Sequence, residues 1–193
     1  LSRNGFSGQL PTLDSCKALN YVQLGENKFS GAIPASWAGL TSARTLNIYS
    51  NQLTGIIPSG IFTPALTRMD ASGNFFTFAG IEPNIEKIDA LVSKVFTTSR
   101  LFPLQQKTKA VNSGEPLSLN ASTLSVYGLG GNNNRYKWFR NNTEVYSGND
   151  PAYTVASAGI THSGIYRFEV TNTAVPGITL KSENLLVSVL VAG

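Results

Sequence analysis

Four asparagines at even spacing constrain this chain more than any other feature. Asn4, Asn27, Asn51 and Asn74 stand 23, 24 and 23 residues apart. Each opens a similar phrase: "NGFSGQLPTL", "NKFSGAIPASW", "NQLTGIIPSGI" and the worn "NFFTFAGI". A period in this range marks stacked units, each too small to bury its own apolar side. The asparagine amide can donate to and accept from main-chain groups that a turn would otherwise bury unpaired. Gly permits a backbone shape that other residues resist, and Pro suits an irregular stretch outside any ladder.

A second register runs against the first. Three residues before each Asn stand Leu1, Leu24, Ile48 and Ala71, and five before stand Val22, Leu46 and Met69. Leu19, Ala43 and Leu66 lie eight before, and Phe6, Phe29, Leu53 and Phe76 two after. This is the spacing of a leucine-rich repeat, with a short strand whose alternate side chains turn inward. "NKFSGAIPASWAGLTSARTLNI" resembles the plant-type repeat, which carries L-x-G-x-I-P after the Asn. In the last copy Phe78 replaces the glycine of Gly31 and Gly55 and no Ile-Pro follows, so it is expected to be terminal. The chain begins inside a repeat and is expected to be part of a longer protein. Cys16, the single cysteine, excludes an internal disulfide and any cysteine-rich metal site, and is expected to be a small buried thiol.

The resemblance implies strands lining the concave face of an arc. Tyr21, Gln23 and Gly25, then Thr45, Asn47 and Tyr49, then Arg68, Asp70 and Ser72 should point outward from it, with Glu26 and Ser50 at the rim. Tyr21, Gln23, Glu26, Thr45, Asn47, Tyr49, Arg68 and Asp70 therefore form the candidate ligand-binding site. Two rings for stacking, surrounded by hydrogen-bonding groups, suit a polysaccharide or a protein surface.

Between the repeats and the rest lies "FFTFAGIEPNIEKIDALVSKVFTTSRLFPLQQ". Ile81, Ile85, Ile88 and Val92 have helical spacing, while Pro83 weakens it. A short helix near 83–93 and an extended piece near 94–102 are expected, together covering the open end of the repeats. Glu82 and Glu86 lie four apart and are read as solvated, not as an acid/base couple.

From about 106 short alternating segments are separated by Gly, Asn, Ser and Pro, the texture of a β-sandwich. "THSGIYRFEV" resembles the tyrosine-corner region of an immunoglobulin-like domain, and "YKWFRN" its strand C. The resemblance implies Tyr166 as the corner tyrosine and Trp138 as the core tryptophan. Ala121 and Phe168 take the two cysteine positions, so packing alone must hold the sandwich. His162, the one histidine, takes the usual Asp place and reads as a turn residue. The loop "VYGLGGNNNR" at 126–135 lacks the following helix and Lys-Ser/Thr of a phosphate cradle. Asn120-Ala-Ser and Asn141-Asn-Thr fit the glycosylation acceptor pattern.

The expected architecture is mixed and two-domain. A leucine-rich-repeat solenoid (1–80) is followed by a capping segment and linker (81–105) and an antiparallel immunoglobulin-like β-sandwich without a disulfide (106–193). The combination resembles surface or secreted proteins of Bacteroidetes-like bacteria. Net charge is +4 with scattered cations, which argues against nucleic acid, and "NLLVSVLVAG" is too short to span a bilayer. No Cys–His dyad, Ser–His–Asp set or metal cluster can be placed. An Asp/Glu glycosidase pair stays open on sequence alone, although neither fold usually hosts one. The expected protein is a monomeric, extracellular or cell-surface binding module with no cofactor, no nucleic-acid partner and no membrane insertion. Its first expected ligand is a polysaccharide or surface glycan. The alternatives are a protein-binding adhesin module and a passive spacer, and the chain could serve as an accessory module of a polysaccharide-degrading enzyme.

Overall fold

A computed structural model of the chain describes residues 1–96 and 100–191. The chain divides into two compact units, Leu1–Arg100 and Leu101–Gly193.

The first unit holds seven short strands: β1 (Ser7–Gln9), β2 (Tyr21–Gln23), β3 (Lys28–Gly31), β4 (Thr45–Asn47), β5 (Gln52–Leu53), β6 (Arg68–Asp70) and β7 (Ser93–Val95). They make two parallel sheets, β2-β4-β6-β7 and β1-β3-β5. Val22, Leu24, Leu46, Ile48, Met69 and Ala71 are buried at the inward positions, while Phe29, Leu53 and Phe76 are buried beyond the asparagines. The residue before each Asn turns the chain through a left-handed conformation: φ is +60° at Arg3, +54° at Glu26, +50° at Ser50 and +64° at Gly73. Three of these are not glycine, so the turn costs energy at three of the four places.

The buried asparagines repay that cost. Asn51 Nδ2 donates to the carbonyls of Ile48 and Tyr49, both at 3.1 Å, and of Leu24, one repeat earlier, at 3.0 Å. Its Oδ1 accepts from Phe29 N at 3.0 Å. Asn74 repeats the pattern with Ala71, Ser72 and Ile48 as acceptors and Leu53 N as donor. Asn27 does the same with Leu24, Gly25, Leu1 and Phe6. Each amide thus closes its own turn and ties it to the preceding repeat.

The departure at Phe78 has a structural reading. Gly8, Gly31 and Gly55 all have φ between +80° and +87°. A phenylalanine cannot hold that shape cheaply, and the chain instead starts helix α1 (Phe78–Ile81). The helix expected near 83–93 is broken into pieces: a 3₁₀ turn at Glu82–Asn84, then α2 (Ile85–Asp89). Pro83 sits in the 3₁₀ turn, where no continuous α-ladder asks for its missing N–H. Ile81 and Ile88 are buried, whereas Val92 is 78% exposed. The extended stretch supplies β7, paired in parallel with β6, so it prolongs the sheet. Lys94 takes the slot equivalent to Met69 and pairs with Asp89 at 2.9 Å. Residues 97–99 of that stretch lie outside the described residues. Cys16, expected to be buried, is exposed. It lies in the first repeat, whose strand β1 has a neighbour on one side only.

The second unit contains β8 (Leu101–Phe102), β9 (Thr108–Asn112), β10 (Leu117–Asn120), α3 (Ala121–Leu124), β11 (Asn134–Arg140), β12 (Thr143–Gly148), β13 (Ala152–Val155), β14 (Gly164–Asn172), β15 (Leu180–Ser182) and β16 (Leu185–Leu190). One sheet runs β12-β11-β14-β15-β8, with β16 bridging β14 and a parallel β9, and β10 pairs with β13 in another. Trp138 and Phe168 are paired across β11 and β14, both fully buried, with ring centres 5.2 Å apart. Trp138 Nε1 donates to Pro151 O at 3.1 Å, and Tyr166 Oη to His162 O at 2.8 Å. His162 Nδ1 accepts from Gly159 N at 3.0 Å, which makes it part of the turn. Ala121 is buried at the other cysteine position, where it opens α3.

Replacing Asn51 by Ala strands the buried Phe29 N–H and removes one of the hydrogen bonds at each of the Ile48, Tyr49 and Leu24 carbonyls, which keep Asn74, Glu26 N and Asn27 as donors. The expected cost is about 3 kcal/mol, seen as a lower urea midpoint with an unchanged slope. A loss below about 0.5 kcal/mol would show that the amide is dispensable.

Candidate functional site

Parallel pairing sets the outward side chains in rows. Tyr21, Thr45, Arg68 and Ser93 are register partners across β2, β4, β6 and β7, and Gln23, Asn47, Asp70 and Val95 form the next row. Tyr21, Gln23 and Arg68 are exposed, with Tyr21 at 62%, while Thr45, Asn47 and Asp70 are half-buried. Six of the eight candidate residues therefore share one face of a four-stranded sheet. Asn47 Oδ1 is buried without a hydrogen-bond partner. Asp70 Oδ1 accepts from Ser72 N at 3.0 Å and Ser72 Oγ at 2.7 Å.

Glu26 and Tyr49 form a separate cluster. The Tyr49 hydroxyl donates to Glu26 Oε1, and Arg3 Nε donates to the same oxygen at 3.2 Å. The Tyr49 ring lies over Gly25 so closely that a Cβ there would stand 2.3 Å from Cε1. Tyr49 is thus a half-buried strut pinned flat, while Tyr21 projects freely. Tyr49 lies four residues along the chain from Tyr21's register partner Thr45, about 13 Å at the rise of an extended strand. Of the two rings, Tyr21 is the exposed one, and the Tyr49 hydroxyl is engaged by Glu26. The Tyr49 hydroxyl first, and then Arg3, hold the Glu26 carboxyl below the usual carboxylate range. The bond to Glu26, with burial second, raises the Tyr49 phenol. Glu26 is depressed, so its contribution is present above the unfolded carboxylate pKa and is lost as pH falls through the folded one.

Sequence reasoning missed three participants. Ser93 and Val95 extend both rows, but the polar Lys94 between them hides the strand pattern. Arg3 stands one residue before Asn4, as Glu26 stands before Asn27, so the 23-residue spacing could have paired them.

The second unit carries ion pairs on its larger sheet. Arg167 lies 3.9 Å over the Phe139 ring and pairs with Glu169 at 2.7 Å, and Lys137 meets Glu144 at 2.8 Å. Among the described residues no group of three His, Cys, Asp or Glu side chains could hold a metal ion, and no helix is long and apolar enough to cross a membrane.

The Leucine Rich Repeat family matches residues 42–63, a span that contains β4. The Arabidopsis thaliana receptor-like kinase TMK2 is 37% identical over 60 residues, 31% of this chain and 7% of that protein. Receptor-like protein 35 of the same plant is 35% identical over 75 residues, 38% and 8% respectively. The chain therefore matches less than a tenth of these relatives' length. Among solved structures, the repeat ectodomain of the Arabidopsis receptor kinase GASSHO1/SCHENGEN3, in complex with CASPARIAN STRIP INTEGRITY FACTOR 2, is 30% identical. It covers 51% of this chain and 12% of its own, with a TM-score of 0.43. Immunoglobulin domains 1–5 of Sidekick-1 are 20% identical and cover 45% of this chain and 17% of theirs, with a TM-score of 0.35.

Tyr49→Phe removes the largest cause of the Glu26 depression. The Glu26 carboxyl should then titrate at higher pH than in the parent chain, read by NMR of its side-chain carboxyl carbon. In Glu26→Gln the Tyr49 phenol should fall toward the ordinary tyrosine value, read by alkaline absorbance. An unmoved Glu26 titration in Tyr49→Phe would contradict the hydrogen bond between the Tyr49 hydroxyl and Glu26.

Proposed function

We propose that this chain is a non-catalytic, extracellular, protein-binding module whose contact surface is the outward face of β2, β4, β6 and β7. One observation carries this reading. Four strands in register present two contiguous rows of polar and aromatic side chains, with the exposed Tyr21 and Arg68 in one row. Exposed aromatic and arginine side chains are the types that anchor protein interfaces. The repeat match contains β4, one of these four strands, and the relatives matched by sequence are receptor-like proteins by name.

The reading includes a solenoid over 1–80 with this face on its concave side, a cap and linker over 81–105, and a sandwich over 106–193 as a second building block. A monomer at a bacterial cell surface, or secreted from it, is part of the same proposal. The glycan reading takes second place for a physical reason. It needed Tyr21 and Tyr49 as a pair of stacking rings, and Tyr49 is pinned across Gly25.

The test uses arrays of secreted proteins and of cell-wall and host glycans, probed with the chain and with Tyr21→Ala/Arg68→Ala. A protein partner that binds the chain and loses at least about tenfold in affinity to the double variant supports the reading. Glycan binding lost in that variant, or protein binding indifferent to it, overturns it.

A further inference from the structure

Resting on that reading of the face, we infer that Arg68 is the anchor for a carboxylate of an acidic protein segment. The charges on this side of the sheet are unequal in availability. Glu26 is engaged by Arg3 and the Tyr49 hydroxyl. Asp70 accepts two hydrogen bonds from Ser72. Lys94, in the inward slot of the neighbouring strand and so not part of the face, is paired with Asp89 and also donates to its carbonyl. Arg68 is exposed, and no carboxylate among the described residues pairs with it. With Asp70 engaged by Ser72, the two rows, which hold one acid and one base, offer a partner a single open cation.

The surroundings of Arg68 suit an oxyanion. Its register partners are Thr45 on one side and Ser93 on the other, and Tyr21 lies one strand beyond Thr45. Neighbouring strands are about 4.8 Å apart, so a hydroxyl-bearing residue stands beside Arg68 on each side of its row. A guanidinium takes a carboxylate through two parallel hydrogen bonds, and a flanking hydroxyl can add a third. Tyr21 and the 38%-exposed Val95 supply apolar area at the two ends of the face. A polyuronate carries a carboxylate on every sugar and gains most from a regular row of cations. This face has one, which suits a protein segment with an isolated Asp or Glu beside apolar residues.

The experiment selects a phage-displayed library of random twelve-residue peptides on the whole chain. The expected peptides share an Asp or Glu. Their affinity should fall at least tenfold on Arg68→Gln and only partly on Arg68→Lys. Changing the shared acid to its amide should cost the parent chain the same factor and cost Arg68→Gln nothing. Matching melting curves for the variants exclude a folding defect. Peptides that lose affinity on Tyr21→Ala but bind Arg68→Gln unchanged would overturn the carboxylate anchor and leave the face intact. Peptides indifferent to both variants, or no selected peptides at all, would overturn the face and the anchor together. Polygalacturonate binding that vanishes in Arg68→Gln would overturn the protein source of the carboxylate.

Discussion

The buried asparagine amide is the interaction on which the repeat unit depends. A strand of three residues cannot hold its place by its own ladder, and the turn after it leaves main-chain carbonyls pointing inward. Asn27, Asn51 and Asn74 answer both needs with one side chain. The amide donates to carbonyls of its own turn and of the previous repeat, and its oxygen accepts an N–H from that previous repeat. An aspartate has the same shape but brings a buried charge and no donor, and a leucine satisfies nothing. The sharp left-handed step at Glu26 and Ser50 is held by the same bonds.

Register follows from this, and the outward face follows from register. Because each Asn joins two repeats at a fixed atom, equivalent residues of successive strands fall side by side. Thr45 cannot drift from Tyr21 or Arg68 without breaking several buried hydrogen bonds. The rows therefore stand on a scaffold that does not rely on any outward side chain. That separation lets the face vary while the fold persists.

Much of the architecture was legible in the sequence. The period of the asparagines, the inward pair of each strand and the Trp138 and Tyr166 positions can all be read because they repeat or belong to a motif. Ser93 and Arg3 could not be read as easily. β7 carries no repeat signature, since its inward slot is the lysine that closes the stack. The attitude of Tyr49 was hidden for another reason. Alternation assigns it to the outward side, but whether the ring stands up or lies flat is decided by the missing Cβ of Gly25 and the carboxylate of Glu26, both in the neighbouring repeat.

The second unit solves a similar problem with similar chemistry. With no cysteine bridge, Trp138 and Phe168 fill its centre and Tyr166 fastens the turn at Gly159–His162. Where β11 and β14 meet the loops, Asn172 Nδ2 donates to Asn134 Oδ1 at 2.9 Å, and Asn134 Nδ2 donates to Leu129 O at 2.8 Å. Asn172 Oδ1 in turn accepts from the backbone of Ala174 and Val175. Both asparagines are buried, and between them they tie two loops to paired strands. An apolar pair there would pack as well but would take away the acceptor of Ala174 N, while Leu129 O keeps the Tyr136 hydroxyl and Val175 N keeps the Asn172 carbonyl. In each unit a buried amide stands where the chain leaves a strand, because only a side chain that both donates and accepts can close such a turn without admitting water.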